Sequence, residues 1–166
     1  MKTVIIENKE QVEKIISACS VCYIGIIDTS GAPYVVPMNF GYKDGVIYLH
    51  SAPDGSLVRC IDNNNNICIT FSLGEKLVYQ HPEVACSYRM RSKSVICKGK
   101  VNFIEDLSEK RIILDLIMQQ YVKNQKFKYS DPAVKNVKIW EIPIDSACAK
   151  EFAAPHSGPK IINGKK

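Results

Sequence analysis

The segment Pro33–Ala52, PYVVPMNFGYKDGVIYLHSA, limits the possible folds of this chain more than any other. Two apolar, valine- and aromatic-rich runs are joined by the turn Lys43–Gly45, and an Asp-Gly turn between such runs predicts a β-hairpin. The same strands carry Asn39, His50 and Ser51, and polar groups like these cost free energy in a dry core unless they are paired. We therefore expect these side chains either to bond to water at the strand ends or to bind a polar ligand.

The size and composition are those of one globular domain. The chain has 166 residues, of which 46% are hydrophobic and 23% charged, so it is long enough to bury a sizeable core. No apolar run approaches the roughly 20 residues of a membrane span, and the first residues lack the apolar core of a secretory signal. We predict a single domain at 1–152, an arm or disordered tail at 153–166, a cytoplasmic location and no membrane partner.

Seven cysteines raise the question of disulfides or bound metal. An odd number in an intracellular chain favours free thiols. Cys19 and Cys22 have CxxC spacing, but no second pair of ligands completes a four-ligand zinc site. The sequence therefore predicts free thiols, with Cys19 and Cys22 acting as small buried hydrophobic residues, and no metal.

Hydrophobic periodicity predicts three helices and several further strands. The helices are a short N-terminal one ending near Ala18, one capped by Asp54, and one opened by the capping-box-like pair Asp106 and Glu109. The remaining strands are expected at 21–28, 67–73, 84–104 with an irregularity near Ser92, and 137–144, with connections at 75–83 and 123–135. Because strands outnumber helices, we predict an α+β, mainly β fold: a six-stranded antiparallel barrel with flanking helices.

Positive charge is concentrated between residues 89 and 100, although the net charge is only +5. In a strand, Arg89, Arg91 and Lys93 would lie on one face. Such a face suits either solvent or one small phosphate. Nucleic acid is a weaker interpretation, because the stretch has no interleaved aromatic platform and no recognised binding motif, so we predict no nucleic-acid partner.

Four segments carry a family resemblance, in the order PYVVPMNFGY (33–42), VIYLHSAPDGSL (46–57), ICITF (67–71) and ACSYRMRSKSVICKGKV (85–101). Together with the helix sequence at 104–121, they resemble the flavin-binding split-barrel superfamily of pyridoxamine 5'-phosphate oxidases, specifically its nitroimidazole-resistance branch. The resemblance covers about residues 19–121. It implies a six-stranded Greek-key split barrel and a homodimer with two flavins in clefts at the subunit interface. The flavin would be FMN, while some relatives accept FAD.

The resemblance also implies a set of cofactor-binding residues. Carried over by position, one group lines the flavin ring, one follows the ribityl chain, one forms a phosphate-binding turn, and one meets the phosphate or ribityl chain from elsewhere. These groups are, in the same order, Pro37, Met38, Asn39 and Phe40; His50, Ser51 and Ala52; Gly55, Ser56 and Leu57; and Lys93, Ser94 and Val95, with Arg91 as a further cation. Physical chemistry agrees with this placement, because the free N–H groups at a helix start favour an anion.

Two positions depart from the branch. Leu57 stands where relatives commonly have a lysine, and Ser92-Lys93 stands where they commonly have Tyr-Arg. Arginine binds phosphate through two parallel hydrogen bonds whereas lysine offers a point charge, so the phosphate contact is expected to weaken or to move to Arg59, Arg89 or Arg91.

The resemblance implies a flavin-dependent oxidoreductase that takes electrons from NAD(P)H and reduces a small planar acceptor such as a nitroaromatic. His50 is the first candidate for a catalytic side chain and Tyr88 the second. Two alternatives stay open: a flavin-binding sensor or carrier without turnover, and a split barrel that binds another phosphate ligand or haem.

Overall fold

The computed structural model of this chain describes residues 2–155, which form one antiparallel sheet system and four helices. The strands are β1 (Lys2–Ile6), β2 (Cys22–Ile27), β3 (Pro33–Met38), β4 (Gly41–Lys43), β5 (Val46–Ser51), β6 (Asn66–Val78), β7 (Arg89–Lys100), β8 (Asn102–Ile104) and β9 (Lys138–Ala154). The helices are α1 (Lys9–Ala18), α2 (Ser56–Asn63), α3 (Leu107–Tyr121) and α4 (Asp131–Lys135).

The predicted α+β, mainly β class is confirmed, although the described residues form nine strands rather than six. Three of the nine are additions to the predicted set. β4 continues β3 beyond a bend, β8 continues β7 after an interruption at Val101, and β1 is a short N-terminal strand. β1 pairs with the end of β9, a partner almost 150 residues away, and no local pattern indicated it.

The strands follow the order β3-β2-β6-β7-β9-β5-β4. The 17-residue β9 belongs to both halves of this arrangement: its first half pairs with β5 and β8, and its second half pairs with β7 and β1. Gly99 of β7 lies against the middle of β9 so closely that a Cβ there would stand 2.3 Å from the Pro143 carbonyl oxygen. This contact holds the two halves together where β9 changes partners.

Inward-facing side chains of the long strands form one apolar core. Phe40, Phe71 and Trp140 are fully buried in it. The rings of Phe40 and Phe71 make an edge-to-face (T-shaped) contact with their centroids 5.0 Å apart. Helix α1 contributes Ile15 and Ile16 to this core. A second apolar cluster, formed by α3 and Ile139 on the other face of β9, fixes α3 to the outside of the barrel.

Some predicted element ends are corrected. Asp54 does not cap α2; the N-cap is Gly55, whose φ of +125° is a backbone conformation that favours glycine, and no side chain caps the helix. The cap at Asp106 is confirmed, since its carboxylate accepts the Glu109 N–H. The irregularity expected near Ser92 is also confirmed, because two residues of β6 stand opposite Ser92 between the pairs Leu73–Lys93 and Lys76–Arg91.

The remaining differences concern element lengths. β6 runs on to Val78, so only part of 75–83 is a connection, and the expected strand 84–104 is divided into a 3₁₀ turn, β7 and β8. The expected linker 123–135 contains α4, which Ser130 caps. β9 extends ten residues past 144, so Ala153 and Ala154, which the sequence predicts to lie in the tail at 153–166, belong to this strand. Residues 156–166 of that tail lie outside the described residues.

Within residues 2–155, no helix combines the length and apolar character that a membrane span requires. All seven cysteines are free. Burial raises the pKa of Cys22 and of Cys97 to about 12, so both thiols stay protonated. The described residues contain no group of three or more histidine, cysteine or acidic side chains that could hold a metal ion.

Candidate functional site

A split between two strands is the main feature of the candidate site. The β4–β5 pairing ends at Gly41 and Tyr48; β4 begins at Gly41, whereas β5 continues to Ser51. On one side the chain passes through Asn39 and Phe40 into β3, which pairs with β2; on the other side the end of β5 stays on β9. The facing edges of 37–40 and 49–52 therefore diverge without a strand partner among the described residues. Apart from the Phe40 N–H, which donates to Tyr121, the backbone groups on these edges are available to a ligand.

The first edge of the split carries the predicted ring-lining residues. Pro37 and Asn39 are exposed and Met38 is half-buried. Phe40 differs from them, since its side chain is fully buried against Phe71 and its N–H donates a 2.9 Å hydrogen bond to the Tyr121 hydroxyl. The Phe40 side chain therefore packs in the core behind this edge and does not face the split.

The second edge carries His50, Ser51 and Ala52. His50 is half-buried, and its Nδ1 is buried with no hydrogen-bond partner in the described structure. Burial lowers the pKa of His50, so the imidazole is neutral at neutral pH. The hydroxyl of Ser51 is already engaged: it accepts from Trp140 Nε1 at 3.0 Å and donates to the Ala52 carbonyl at 2.9 Å. Of these side chains, His50 is thus the one with an unmet polar group.

The start of α2 lies next to the first residues of β3. Ser56, Arg59, Cys60 and Tyr34 line a pocket of about 300 Å³ together with Asp28 and Thr29 of the β2–β3 turn. The Asp28 carboxylate at its rim accepts hydrogen bonds from the Ser30 hydroxyl and from the Ser30 and Ala32 N–H groups. Arg59 is exposed and forms no salt bridge within residues 2–155, and no side chain caps the helix. Free N–H groups and an unpaired guanidinium make this pocket suitable for an anion. Leu57 is half-buried and packs against the core.

The β7 group is a mixed set. Val95 is fully buried in the core, and Ser94 is half-buried. Lys93 is exposed and has no salt bridge among the described residues. Arg91 instead donates two hydrogen bonds to one carboxylate oxygen of Glu151, at 2.9 and 2.7 Å, so its charge is largely balanced.

Within one chain, the structure brings most of the predicted site together and leaves the β7 group apart. The split and the α2 pocket lie along the free edge of β3. Strands β2 and β6 separate β3 from β7, which corresponds to three strand spacings, or about 14 Å. In addition, Ser94 pairs with Lys150, eleven residues along β9 from Ile139, the partner of His50. In the strand order, the groups at 37–59 and 91–95 therefore lie on strands that are not neighbours.

Sequence reasoning missed Tyr34 and Tyr121. Tyr34 lines the α2 pocket with Ser56 and Arg59, and Tyr121, the last residue of α3, accepts a hydrogen bond from Phe40 at the split. The Tyr121–Phe40 contact spans 81 residues of sequence, so no local pattern indicated it.

An apolar surface covers the outer face of β3, β2, β6 and β7. Tyr23, Val35 and Ile96 are 48%, 62% and 41% exposed on this face. The strand pairs place these side chains side by side, with Tyr23 opposite Pro37 and Thr70, and Thr70 opposite Ile96. An exposed apolar face of this kind is typical of a protein-protein contact. Further along the β6–β7 ribbon, beyond the polar pair Ser72 and Ser94, Met90 and Leu77 are 53% and 58% exposed.

Comparisons with known proteins bear on this arrangement. The family model for pyridoxamine 5'-phosphate oxidase matches residues 8–151. A solved structure from Bacteroides thetaiotaomicron, of a candidate 5-nitroimidazole antibiotic resistance protein, is 56% identical with a TM-score of 0.82, covering 90% of this chain and 87% of that one. No curated protein sequence matches this chain.

Two more distant structures share the fold. The flavocytochrome Anf3 from Azotobacter vinelandii is 21% identical with a TM-score of 0.80, over 91% of this chain and 70% of that one. The FAD and heme binding protein from Mycobacterium smegmatis is 13% identical with a TM-score of 0.79, over 100% of this chain and 93% of that one. At these identities the likeness establishes the architecture alone.

Proposed function

The chain belongs to the pyridoxamine 5'-phosphate oxidase family, and from this premise we propose that it is a flavin-dependent oxidoreductase. We propose FMN as the flavin, NADH or NADPH as the electron donor, and a small planar compound as the acceptor. A nitroaromatic acceptor is favoured because the 56% identical relative is described as a candidate 5-nitroimidazole antibiotic resistance protein.

The split between 37–40 and 49–52 is the observation that carries this proposal. A flavin needs an apolar slot for its ring and hydrogen bonds for its pyrimidine edge. Pro37 and Met38 supply apolar surface, the free strand edges supply backbone donors and acceptors, and Asn39 supplies an exposed amide. The buried, unpartnered Nδ1 of His50 is consistent with a ligand beside it, because buried polar groups are rarely left unpaired.

The anion pocket at α2 fits the flavin phosphate. Its helix start has no side-chain cap, and Ser56 and Arg59 face the same pocket. Arg59 is therefore the cation that we assign to the phosphate from this chain, in place of the lysine that relatives carry at position 57. Arg91 is a weaker candidate because Glu151 occupies its guanidinium.

We propose a homodimer in which Lys93 and Ser94 reach the flavin of the partner subunit. We assign them to the partner's flavin because β2 and β6 separate β7 from the free edge of β3 in the strand order, about 14 Å along the sheet. The exposed apolar face around Tyr23, Val35 and Ile96 is the surface that a second copy would cover. A contact related by twofold symmetry would use this surface twice and would create two equivalent sites.

The bound flavin would supply the electron-transfer chemistry. The residues of this chain would hold it and shape its surroundings. Pro37 and Met38 would exclude water from the ring, and Arg59 with the start of α2 would balance the phosphate charge. His50, neutral at neutral pH, is the candidate for donating a hydrogen bond or a proton to the acceptor. Tyr88 is a weaker candidate, because its hydroxyl donates to the Pro82 carbonyl at 2.8 Å.

The visible absorption spectrum of the purified protein tests this function. We expect flavin bands at about one flavin per chain, saturation by FMN and FAD measured separately, and loss of the bands when NADH or NADPH is added without oxygen. A flavoprotein that neither nucleotide reduces would indicate a sensor or carrier. A protein that takes up neither flavin would contradict the proposal, and retention of haem or another phosphate compound would then support the remaining alternative.

A further inference from the structure

We propose that Tyr121, the last residue of α3, is a positioning residue of the flavin site. This inference rests on the proposed function, since it assigns a role within the same split. Its basis is the hydrogen bond from the Phe40 N–H to the Tyr121 hydroxyl, 2.9 Å long, at the residue where β3 bends into β4.

The bend at Asn39 and Phe40 determines the width of the split. β3 pairs with β2 up to Met38, and β4 pairs with β5 from Gly41, so the two residues between them have no strand partner among residues 2–155. The Phe40 N–H would otherwise be a buried donor without an acceptor, which is costly. Tyr121 satisfies this donor and thereby fixes the direction in which Asn39 and Met38 enter the split.

The end of α3 is itself firmly held. The Gln120 side chain donates to the carbonyl groups of Ser17 and Cys19 at 2.9 and 3.0 Å, which fixes the end of α3 to the end of α1. Earlier in α3, Leu116 and Ile117 pack so closely on Gly41 that a Cβ there would stand 2.4 Å from Leu116 Cδ2. A hydroxyl carried on such a fixed helix end can hold a backbone group in one place.

The hydroxyl of Tyr121 can also donate a hydrogen bond. Its oxygen accepts from Phe40, and the described part of the chain provides no acceptor for its own O–H. The residue is 37% exposed, and we infer that a ligand in the split can reach its hydroxyl. A tyrosine can donate one hydrogen bond while it accepts another. Tyr121 would thus connect the backbone of the ring-lining segment to the bound molecule.

The test compares Tyr121→Phe with Gln120→Ala. Tyr121→Phe removes the hydroxyl and keeps the ring; we expect faster hydrogen exchange of the Phe40 amide in the flavin-free protein, about tenfold weaker FMN binding, and a displaced absorption band of the bound flavin at saturation. Gln120→Ala loosens the same helix end without touching Phe40. We expect it to lower the thermal midpoint while the flavin band stays in place.

The outcomes separate this inference from the proposed function. If the wild-type chain binds no flavin, the proposed function and this role are both contradicted. If the wild type binds FMN and Tyr121→Phe binds it equally well with an unchanged band, only the role of Tyr121 is contradicted. If Gln120→Ala displaces the flavin band as Tyr121→Phe does, Tyr121 acts through general stability and the positioning role is likewise contradicted.

Discussion

At the residue level, His50 differs from its neighbours in having an unmet polar group in the fold. Ser51 is bonded to Trp140 and Ala52, and Phe40 and Val95 are core residues. A sequence motif reports which positions surround a site, but it does not tell whether a side chain faces the ligand or the core. That distinction depends on which face of the strand is covered, and the covering residues come from distant parts of the chain.

The buried imidazole of His50 predicts a pH dependence of stability. Burial lowers its pKa from the ordinary value of 6.5, so the unfolded chain binds the proton more tightly than the folded chain. The free energy of unfolding should therefore fall as the pH drops through this range. In urea titrations at about pH 7.5 and about pH 5.5, we expect His50→Gln to lose less stability on acidification than the wild type. His81→Gln, at an exposed position, serves as the control. An equal acid response in the wild type and in His50→Gln would contradict this prediction.

At the level of secondary-structure elements, local sequence patterns were sufficient to predict some turns and helix caps. The turn at Lys43–Gly45 is present between β4 and β5, with positive φ at Asp44 and Gly45, and the α3 cap is at Asp106 as predicted. Strand partners were harder to predict. The run 33–38 pairs with β2 instead of completing the hairpin, and β9 extends to Ala154 because β1 and β7 provide partners for its second half.

The close approach of β7 to β9 at Gly99 predicts that a side chain at this position destabilises the fold. A Cβ at Gly99 would stand 2.3 Å from the Pro143 carbonyl oxygen and 2.9 Å from Ile142 Cγ2, so the backbone itself would have to move. We expect Gly99→Ala to lower the free energy of unfolding by about 1–3 kcal/mol. Gly25→Ala is the matched control, because a Cβ there lies at an ordinary 3.5 Å from the Cys68 carbonyl oxygen. If urea unfolding gives the two variants equal stability, the prediction is contradicted, because the β9 backbone then moves away from the added Cβ at little cost.

The β7 group predicts a loss of flavin binding without a loss of folding. Lys93 is exposed and free of salt bridges in the described structure, so its removal should cost little stability. If its charge reaches the flavin phosphate, Lys93→Ala should weaken FMN binding by about tenfold, and Ser94→Ala should weaken it less. Lys100→Ala, at the other end of the same strand, is the control. Flavin titration measures the affinity of all three variants, and thermal unfolding checks that they fold. If neither Lys93→Ala nor Ser94→Ala binds FMN more weakly than Lys100→Ala, the assignment is contradicted.

At the level of the whole molecule, the ordered motifs indicated the family and the architecture correctly, whereas the assembly of the site could not be read from one chain. A linear motif lists 37–40, 50–57 and 91–95 together, yet the strand order places the last group on another wall of the barrel. The family resemblance implies a homodimer with flavins at its interface, but no residue pattern in one chain marks which side chains would act across that interface. The apolar outer face supplies the physical reason to expect a second copy.

This arrangement predicts that dimer formation and flavin binding are lost together. Ile96 is 41% exposed at the middle of the apolar face, so Ile96→Glu would place a charge in the proposed contact while leaving the core of the monomer intact. We expect the wild type to sediment as a dimer and Ile96→Glu as a monomer that binds FMN about tenfold more weakly or not at all. Ile112→Glu changes a residue that is 68% exposed on α3, away from this face, and should leave both properties unchanged. A folded Ile96→Glu monomer with wild-type FMN affinity would mean that each chain holds its flavin alone, and that Lys93 and Ser94 of a second subunit have no part in the site.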